Sequence, residues 1–531
     1  MPPSFAKLPQ WLFASDPTQS PGRLAPRWLF LRALGLIYFS AFYSLITQVR
    51  GLIGPDGLLP AGQYLDELTQ VAGTARYWYA PTVFWLANGS RALLFLCWVG
   101  IVASLLLVLN FWPRAMLAIC LIAFLSFIST LQAFSSYQSD GMLLGAGFVS
   151  LFFAPPGIRP GWGERHPPSR ASLFLLQWLW FRIYFESGVA KIASGDVEWR
   201  HLTAMDEYYQ NGPLPSWVGW YAQHLPHWFH AGTAGLTLAL ELTLVWMLFL
   251  PRRFRIALFA IVTPWQIGII ATSNYAFLNY LVLVLGILLL DDNSLQRFLP
   301  QRLHDPAGAS VAQAPGAGWR AVLTRALAAA RLAFAALCLT WIFYNTTAEL
   351  LRMLAPTFSL PATPIVALEP FRIAESFGLF AVMTPARYEI EFQGSNDGQT
   401  WTAYPFRYKP QDPRQAPRIF APYQPRFDWN LWFASLDSWQ QNRFVVSAEE
   451  RLLTSSPSVL ALFEANPFAG APPRRVRAVL WQYWFTDWPE KRQGLWWRRQ
   501  LLGLYAPELE RKEDGEFGVI AMPPPGFGIR P

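Results

Sequence analysis

Long apolar blocks fill the first two thirds of the chain and restrict its fold more than any other feature. Of its 531 residues, 53% are hydrophobic and 14% are charged, whereas soluble proteins carry roughly 25% charged residues. The blocks predict a polytopic α-helical membrane bundle, because about 20 apolar residues in a helix cross the hydrocarbon core. We expect about nine transmembrane helices, over residues 28–49, 92–112, 115–134, 141–154, 173–192, 233–250, 256–272, 275–290 and 326–344.

Basic residues between the apolar blocks predict the orientation of the bundle. With the N-terminus and Lys7 in the cytoplasm, the alternate loops that contain Arg114, Arg159, Arg252 and Arg302 also face the cytoplasm, as the positive-inside rule requires. An odd number of spans then places the C-terminus outside. The predicted organisation is a cytoplasmic segment 1–27, a bundle 28–345 with extracytoplasmic loops 50–91 and 194–232, an extracytoplasmic domain 357–510 and a disordered tail 511–531.

The chain beyond Pro356 shows strand alternation instead of apolar blocks. Residues 388–408 have the pattern of two strands joined by a turn at Asp397 and Gly398, and Asp-Gly is a frequent hairpin turn. We therefore predict a β-containing, aromatic-rich C-terminal domain. Its clustered tryptophans either form the core or leave some rings as an exposed platform for a partner. The residues proposed for such a platform are Arg426, Asp428, Trp429, Trp432, Trp496, Trp497, Arg498 and Arg499.

Several function classes have no support in the sequence. The cysteines Cys97, Cys120 and Cys338 all lie in apolar blocks, which excludes a disulfide framework. The chain has no Walker loop and no GxSxG motif, so nucleotide chemistry and serine hydrolysis lack a local signature. The net charge of +8 comes mainly from arginines in short loops, which is typical of topology signals and not of nucleic-acid binding. We expect no metal, no cofactor and no nucleic-acid partner.

Charged residues inside a predicted span are functional candidates, because an ionisable side chain in the hydrocarbon core is costly. The fifth span contains Arg182, Glu186 and Lys191. Arg182 and Glu186 are four residues apart, so they share a helix face and can form an ion pair that fixes helix packing. Lys191 either extends its long side chain to the outer interface or, if it is partly desolvated, acts as a base or an anion site that faces the aqueous side.

Two carboxylates extend this set of polar candidates within the membrane. Asp140 precedes the fourth span and Glu241 lies in the sixth. Either is a candidate partner of Arg32 in the first span, because a buried charge needs a counter-charge. Asp140 also joins the loop residues Trp199 and Asp206 as a candidate for a polar site.

Motifs in both halves of the chain resemble the lipase maturation factor family. The first half contributes Tyr-Phe-Glu-Ser-Gly-Val-Ala-Lys-Ile at 184–192 and the segment 196–206 that follows it. The second half contributes Ser-Phe-Gly-Leu-Phe at 376–380, the segment 391–401 and the run Pro-Arg-Phe-Asp-Trp within 422–434. The resemblance extends over about residues 28–505, nearly the whole chain.

This resemblance implies a multi-pass protein of the endoplasmic reticulum membrane without a known reaction. Its extracytoplasmic domain would assist the folding or assembly of secreted lipases or other exported hydrolases, so its partners are the lipid bilayer and such a client. The preference for arginine over lysine and the short loops suggest a bacterial source, in which case the membrane is the bacterial inner membrane.

Two alternatives to a maturation factor remain open at the level of sequence. The membrane half is distantly similar to vitamin K-dependent γ-carboxylases, through residues 188–191 and Trp199. That similarity implies an enzyme with an outer-leaflet site around Lys191, although no second catalytic group is evident near it. A transporter is the third hypothesis, but its expected inverted repeats are not evident in the sequence.

Overall fold

The computed structural model describes residues 8–14, 22–295, 319–358 and 360–524. The long helices of the first part are α1 (Leu24–Ile46), α2 (Ser90–Val108), α3 (Pro113–Ile128), α4 (Gln138–Phe153), α5 (Arg170–Ala193), α6 (His227–Leu242), α7 (Arg252–Thr272), α8 (Leu278–Gly286) and α9 (Trp319–Leu354). Short α-helices cover Leu8–Phe13, Val49–Ile53, Ala61–Ala72, Arg76–Tyr79, Val197–Arg200, Tyr208–Asn211, Trp217–Gln223, Asp292–Leu295 and Thr363–Val366. Stretches of 3₁₀-helix extend α6 and α8, at Leu244–Phe249 and Ile287–Leu289.

Each apolar block that the sequence marks as a span overlaps one of these helices. Among the described residues, five helical stretches are long and apolar enough to cross a membrane: Leu24–Ile46, Ser90–Val108, His227–Phe249, Arg252–Thr272 and Val322–Leu354. Two further apolar helices, Pro113–Ile128 and Leu278–Leu289, are shorter. The chain is therefore a multi-pass membrane protein, and the number of nine spans stays a prediction.

Small residues bring the first helices of the bundle close together. A Cβ atom at Gly100 of α2 would lie 2.5 Å from the ring of Phe42 in α1. A Cβ atom at Gly35 would lie 2.9 Å from the side chain of Val108. Because a side chain at either glycine would overlap its neighbour, the glycines allow the backbone contact that is typical of helix packing in membranes.

The two ends of α1 contact different parts of the chain. At its start, Arg27 donates to the carbonyls of Trp162 and Gly163, at 2.8 and 3.0 Å. We call this the basic end of the bundle, since the segments that carry Arg114, Arg159 and Arg252 also meet there. The opposite end of α1 packs against the C-terminal domain through residues 418–427, for example through a 2.9 Å hydrogen bond from Gln48 Nε2 to Gln424 O.

The C-terminal domain is built on an antiparallel sheet with two helices. Its strands are β1 (Arg387–Ser395), β2 (Thr402–Ala403), β3 (Arg475–Phe485), β4 (Trp497–Leu504), β5 (Glu508–Arg511) and β6 (Phe517–Ala521), in the order β2-β1-β3-β5-β6 with β4 also paired to β3. Helices α10 (Arg426–Ser435) and α11 (Phe444–Leu453) pack on it, and short helices lie at Pro457–Leu460 and Trp488–Arg492. The predicted β character of this domain is confirmed.

Strand β1 alternates apolar and charged residues, and both of its faces are buried. Ile390 and Phe392 point into an aromatic core, where Phe392 meets Phe427 and Phe463 at ring distances of 6.4 and 5.9 Å. The other face carries charged side chains that are also buried, among them Glu389. A strand with one polar and one apolar buried face must satisfy its charges inside the protein.

The end of the chain differs from the prediction of a disordered tail. Strand β6 pairs with β5 from Glu508↔Ala521 to Arg511↔Phe517, so the tail contributes an edge strand to the sheet. The strand Phe517–Ala521 lacks the alternation of apolar and polar residues by which strands are recognised. Lys7, Arg302 and residues 525–531 lie outside the residues that the structure describes.

Candidate functional site

The segment that joins the bundle to the C-terminal domain lies along α5. We call residues 372–384 the docking strap. Leu379 N donates to Ser187 Oγ at 3.2 Å, and Ser194 Oγ donates to Ala381 O at 2.8 Å. Residues three or four positions apart lie on the same face of a helix. One face of α5 therefore binds the strap backbone over several turns.

Arg182 and Glu186 form the first of these contacts. Their side chains are buried, and Arg182 Nε lies 2.6 Å from Glu186 Oε1, so the ion pair that the spacing predicts is confirmed. Each partner also binds the strap. Arg182 Nη2 donates to Glu375 O at 2.6 Å, and Phe377 N donates to Glu186 Oε2 at 2.8 Å. The extra hydrogen bonds offset the cost of removing both charges from water.

Lys191 is held in the same way one and a half turns further along α5. Its ammonium lies 2.9 Å from the Glu241 carboxylate of α6 and donates to Leu379 O at 2.8 Å. It also lies 5.0 Å from the ring centre of Trp199, within the range of a cation–π contact. A lysine that is 2% exposed and bound by a carboxylate, a carbonyl and a ring has the surroundings of a structural cation, whereas a base needs an uncharged amine.

Of the two loop candidates, one belongs to the strap site and the other does not. Trp199 Nε1 donates to Phe380 O at 2.9 Å, so this tryptophan continues the row of strap contacts beyond the end of α5. Asp206 is only partly buried, and its carboxylate lies 3.0 Å from Nδ1 of His227. The structure therefore places Asp206 in a separate surface pair.

A second buried ion pair joins α10 of the domain to α4 of the bundle. Arg426 binds both carboxylate oxygens of Asp140 at 2.8 Å and donates to Phe134 O at 2.7 Å. Both charged side chains are fully buried. Bidentate geometry of this type is the strongest form of ion pair. The pair fixes α10 directly on the bundle.

The prediction that Asp140 or Glu241 pairs with Arg32 is wrong. Both carboxylates have other partners, whereas the Arg32 guanidinium lies 4.6 Å from the ring centre of Trp28 and donates to Trp28 O at 3.1 Å. The sequence shows which groups need a counter-charge, but the partner depends on which helices are adjacent. The true partner of Asp140 lies 286 residues away.

The residues proposed for an exposed platform are mostly part of the interior. Asp428, Trp429, Trp432 and Trp497 are buried, as is Arg426. They serve as core and contact residues: Trp429 packs against Tyr137 and Tyr275 of the bundle, with ring centres 5.4 and 6.3 Å apart. Trp432 Nε1, for example, donates to a carbonyl of the loop 194–232 at 3.1 Å. Such groups cannot contact a partner unless the domain leaves the bundle.

The remaining platform residues lie on β4 or just before it and are accessible. Trp496 is half-buried beneath Lys491, whose ammonium lies 3.5 Å from its ring centre. Arg498 is exposed and forms ion pairs with Asp487 and Glu490. Its neighbour Arg499 is also exposed and borders a cleft.

This cleft is a broad concave surface of the C-terminal domain. It has a volume of about 780 Å³ and lies over the polar face of β1, beyond the buried part of that face. Glu391 forms its floor and accepts hydrogen bonds from Gln411 and Arg499, at 3.1 and 3.2 Å. Two partly exposed rings border it, and each lies under a cation: Trp401 under Arg477 at 3.9 Å and Trp481 under Arg499 at 4.3 Å.

Comparisons with known proteins cover both halves of the chain. The family model of the lipase maturation factor transmembrane domain matches residues 25–297, and that of the lipase maturation factor C-terminal domain matches 373–507. The chain belongs to the lipase maturation factor family. Lipase maturation factor 1 of Bos taurus is 32% identical to it over 92% of this chain and 89% of its own length.

Two other relatives of the lipase maturation factor family match over similar lengths. Lipase maturation factor 1 of Homo sapiens is 31% identical over 92% of this chain and 88% of its own length. Lipase maturation factor 2 of Gallus gallus is 29% identical over 94% of this chain and 83% of its own length. No solved structure matches the chain.

In this member of the lipase maturation factor family, the docking strap lies where the second of the two matched regions begins. The second match begins at residue 373, at the start of the strap, and the motif at 376–380 is the part whose backbone binds α5. The motif at 184–192 contains Glu186, Ser187 and Lys191, which bind that backbone. The two most recognisable motifs of the chain therefore contact each other.

Sequence reasoning missed a third cluster of buried charges at the same junction. Arg387, Glu389 and Lys409 lie together inside the domain, with Lys409 Nζ 2.8 Å from Glu389 and Arg387 paired to Glu389. Burial lowers the pKa of Arg387, and the charge of Glu389 opposes that shift. Arg387 also donates to carbonyls of the loop 194–232. The Arg-x-Glu spacing on one strand face is the only local signal of this cluster.

Proposed function

We propose that this chain is a membrane-anchored maturation factor that assists the folding or assembly of secreted lipases and binds them through its C-terminal domain. The proposal rests on membership of a family whose relatives are named lipase maturation factors. On the chain itself, it rests on the cleft between Trp401, Trp481 and Arg499. We infer that the client contacts this cleft.

The composition of the cleft supports a role in protein recognition. Tryptophan and arginine are the residue types that contribute most at protein interfaces, and here they are stacked in pairs next to an acidic floor at Glu391. The cation above each ring is already oriented, so little side-chain entropy is lost when a partner binds. The buried tryptophans of α10 serve instead to hold the domain.

The contacts of the strap support the idea that the bundle does more than anchor this domain. The pairs Arg182–Glu186 and Lys191–Glu241 bind the strap backbone to α5. The pair Arg426–Asp140 joins α10 of the domain to α4. They fix the direction in which the cleft faces. A client that emerges at the membrane surface would meet a site that is held rigidly, which favours binding.

We further propose that the domain and the loops 50–91 and 194–232 face the extracytoplasmic side. The domain packs at the end of α1 opposite the basic end, and basic ends face the cytoplasm. The membrane would be the endoplasmic reticulum in a eukaryotic source and the inner membrane in a bacterial one. In both cases the cleft faces the compartment through which secreted lipases pass.

A pull-down with the full-length chain tests the client site. Trp401→Ala combined with Arg499→Ala should lower the recovery of a co-expressed secreted lipase from solubilised membranes by at least tenfold, since each interface hot spot contributes about 2 kcal/mol. The activity of the secreted lipase should fall in parallel. Trp228→Ala is the matched control, because Trp228 is 74% exposed but lies on α6, outside the cleft.

Recovery of lipase by the double variant at the wild-type level would refute the cleft as the client site. An equal loss in Trp228→Ala would indicate a general effect of exposed tryptophans. A wild-type protein that recovers neither a secreted lipase nor a cytoplasmic hydrolase from solubilised membranes would contradict the proposed function itself.

A further inference from the structure

A wide groove lies at the basic end of the bundle, on the side opposite the C-terminal domain. It runs between the short helix Leu8–Phe13, the start of α3, the end of α4 and the first half of α9, and its volume is about 1300 Å³. That volume exceeds the roughly 300–1,000 Å³ of pockets for small molecules. The groove plays no part in the client site proposed above.

The rim of this groove is strongly basic. Arg114, Arg170, Arg325 and Arg331 line it together with His166, and the described residues that line it include no Asp or Glu. The charges of Arg114 and Arg331 are close enough to repel each other. Burial, and after it the charges of neighbouring arginines, lower the pKa of His166. An anion would relieve this repulsion.

The wall below the rim is apolar and aromatic. Phe152 of α4 and Phe334 of α9 are in ring contact within this wall, with ring centres 6.2 Å apart. Leu151 and Leu339 continue this wall away from the arginines. Trp11 lies on the rim, 4.5 Å from the Arg170 guanidinium, at the level where tryptophans meet lipid headgroups. The groove thus joins a cationic end to a long hydrocarbon-like wall.

We propose that this groove binds an anionic phospholipid, with its phosphate between Arg114 and Arg331 and an acyl chain along Phe152 and Phe334. Basic pockets between membrane helices bind acidic headgroups through charge, and the apolar wall selects a lipid over a soluble anion. The lipid joins α9 to α3 and α4. It therefore stabilises the packing of a helix that is exposed along most of its first half.

The test compares two phospholipids that differ only in headgroup charge. Full-length protein in detergent is titrated with dioleoyl phosphatidylglycerol or dioleoyl phosphatidylcholine, and bound lipid is counted by native mass spectrometry while the melting temperature is followed. We expect tighter binding and greater stabilisation with phosphatidylglycerol. Arg114→Gln combined with Arg331→Gln should weaken its binding by about fivefold per arginine removed, and leave phosphatidylcholine unaffected.

Arg253→Gln is the matched control, because Arg253 is exposed at the same end of the bundle but outside the groove lining. It should keep the wild-type preference. Arg331→Gln alone, at an exposed position of α9, is measured in the same way and replaces the double variant if that protein does not fold. Equal affinity for both lipids, an unchanged preference in the Arg331 variants, or equal stabilisation by inorganic phosphate would each overturn the proposal.

Discussion

At the residue scale, the charges within the bundle are explained by their contacts with the C-terminal domain. An isolated ion in a low-dielectric interior is strongly unfavourable, so each needs a partner. Arg182, Glu186 and Lys191 find theirs in each other, in Glu241 and in strap carbonyls. The default interpretation of an intramembrane charge is function, but here the contacts assign these residues to the positioning of a domain.

A double-mutant cycle on Asp140 and Arg426 measures one of these contacts. Asp140→Leu alone should lower the free energy of unfolding in detergent by about 3–5 kcal/mol, because it leaves a buried arginine unpaired. Arg426→Met in the same chain should recover much of this loss. The exposed pair of Arg498 with Asp487 is the control, and Arg498→Ala should cost about 1 kcal/mol or less. Additive effects of the two buried substitutions would contradict the direct pair.

Asp428 introduces a pH dependence into the stability of the domain. Burial raises its pKa to about 7, although Lys409 and two backbone N–H groups act in the opposite direction. Between about pH 4 and pH 7 the folded form therefore holds a proton that the unfolded form has lost, since a free aspartate has a pKa of about 3.9. Stability attributable to this group is present at low pH and decreases as the pH rises towards 7.

The substitution Asp428→Asn should remove this component. We expect the melting temperature of the wild type to fall more between pH 5 and pH 8 than that of Asp428→Asn, measured in the same detergent. The two curves should run parallel above pH 8. Identical pH dependence of both proteins over the whole range would show that Asp428 is ionised in the fold.

At the element scale, the docking strap has no regular secondary structure over most of its length, and α5 provides the missing hydrogen bonds. A buried N–H without an acceptor costs about 1–3 kcal/mol. Ser187→Ala removes the acceptor of Leu379 N and should lower stability by that amount. Limited proteolysis within residues 372–384 should become faster. The measurement combines equilibrium unfolding in detergent with mapping of the cleavage sites.

Ser104→Ala provides the matched control for that substitution. Ser104 is equally buried, but its hydroxyl donates only to Ile101 O of its own helix, at 2.7 Å. Its loss leaves no strap group unsatisfied, so the cost should be at most about 1 kcal/mol and cleavage of the strap should not change. Equal destabilisation by both substitutions would argue against a special role of Ser187.

The helices and the first hairpin strand were predictable at this scale, whereas most of the sheet was not. Apolar blocks depend only on local composition, and each overlaps a helix. Strand β3 pairs with β1 over nine positions, from Arg387↔Tyr483 to Ser395↔Arg475, although about 80 residues separate them. Local pattern carries no information on such pairing. Strand β6 was missed for a different reason: it pairs locally with β5, but Phe517–Ala521 does not alternate apolar and polar residues.

At the scale of the whole molecule, contacts place the C-terminal domain and both long loops at one end of the bundle. Arg451 donates to Gly57 O at 3.2 Å, and Trp432 donates to Asn211 O at 3.1 Å. Asn396, in the turn after β1, and Arg159, near the basic end, are both exposed. Each is replaced by cysteine, as Asn396→Cys and Arg159→Cys. In intact cells or sealed vesicles, a membrane-impermeant maleimide should label these two cysteines from opposite sides, with Asn396→Cys outside.

The native cysteines interfere little with this labelling. Cys97 and Cys120 are buried, and Cys338 lies within the apolar α9, where Cys338→Ala removes any background. Labelling of both introduced cysteines from the same side would contradict the two-ended arrangement. Labelling from opposite sides, but with Asn396→Cys inside, would keep the arrangement and reverse the proposed orientation.

The sequence by itself determined that the chain is a multi-pass membrane protein with a β-containing C-terminal domain, and its motifs indicated the family. These properties depend on composition and on short runs of residues, which need no knowledge of distant neighbours. Only the tertiary structure decided what the charged residues do. Asp140 pairs with Arg426 and Lys191 with Glu241, because buried charges take partners from whichever elements pack beside them, and that packing is set by the whole fold.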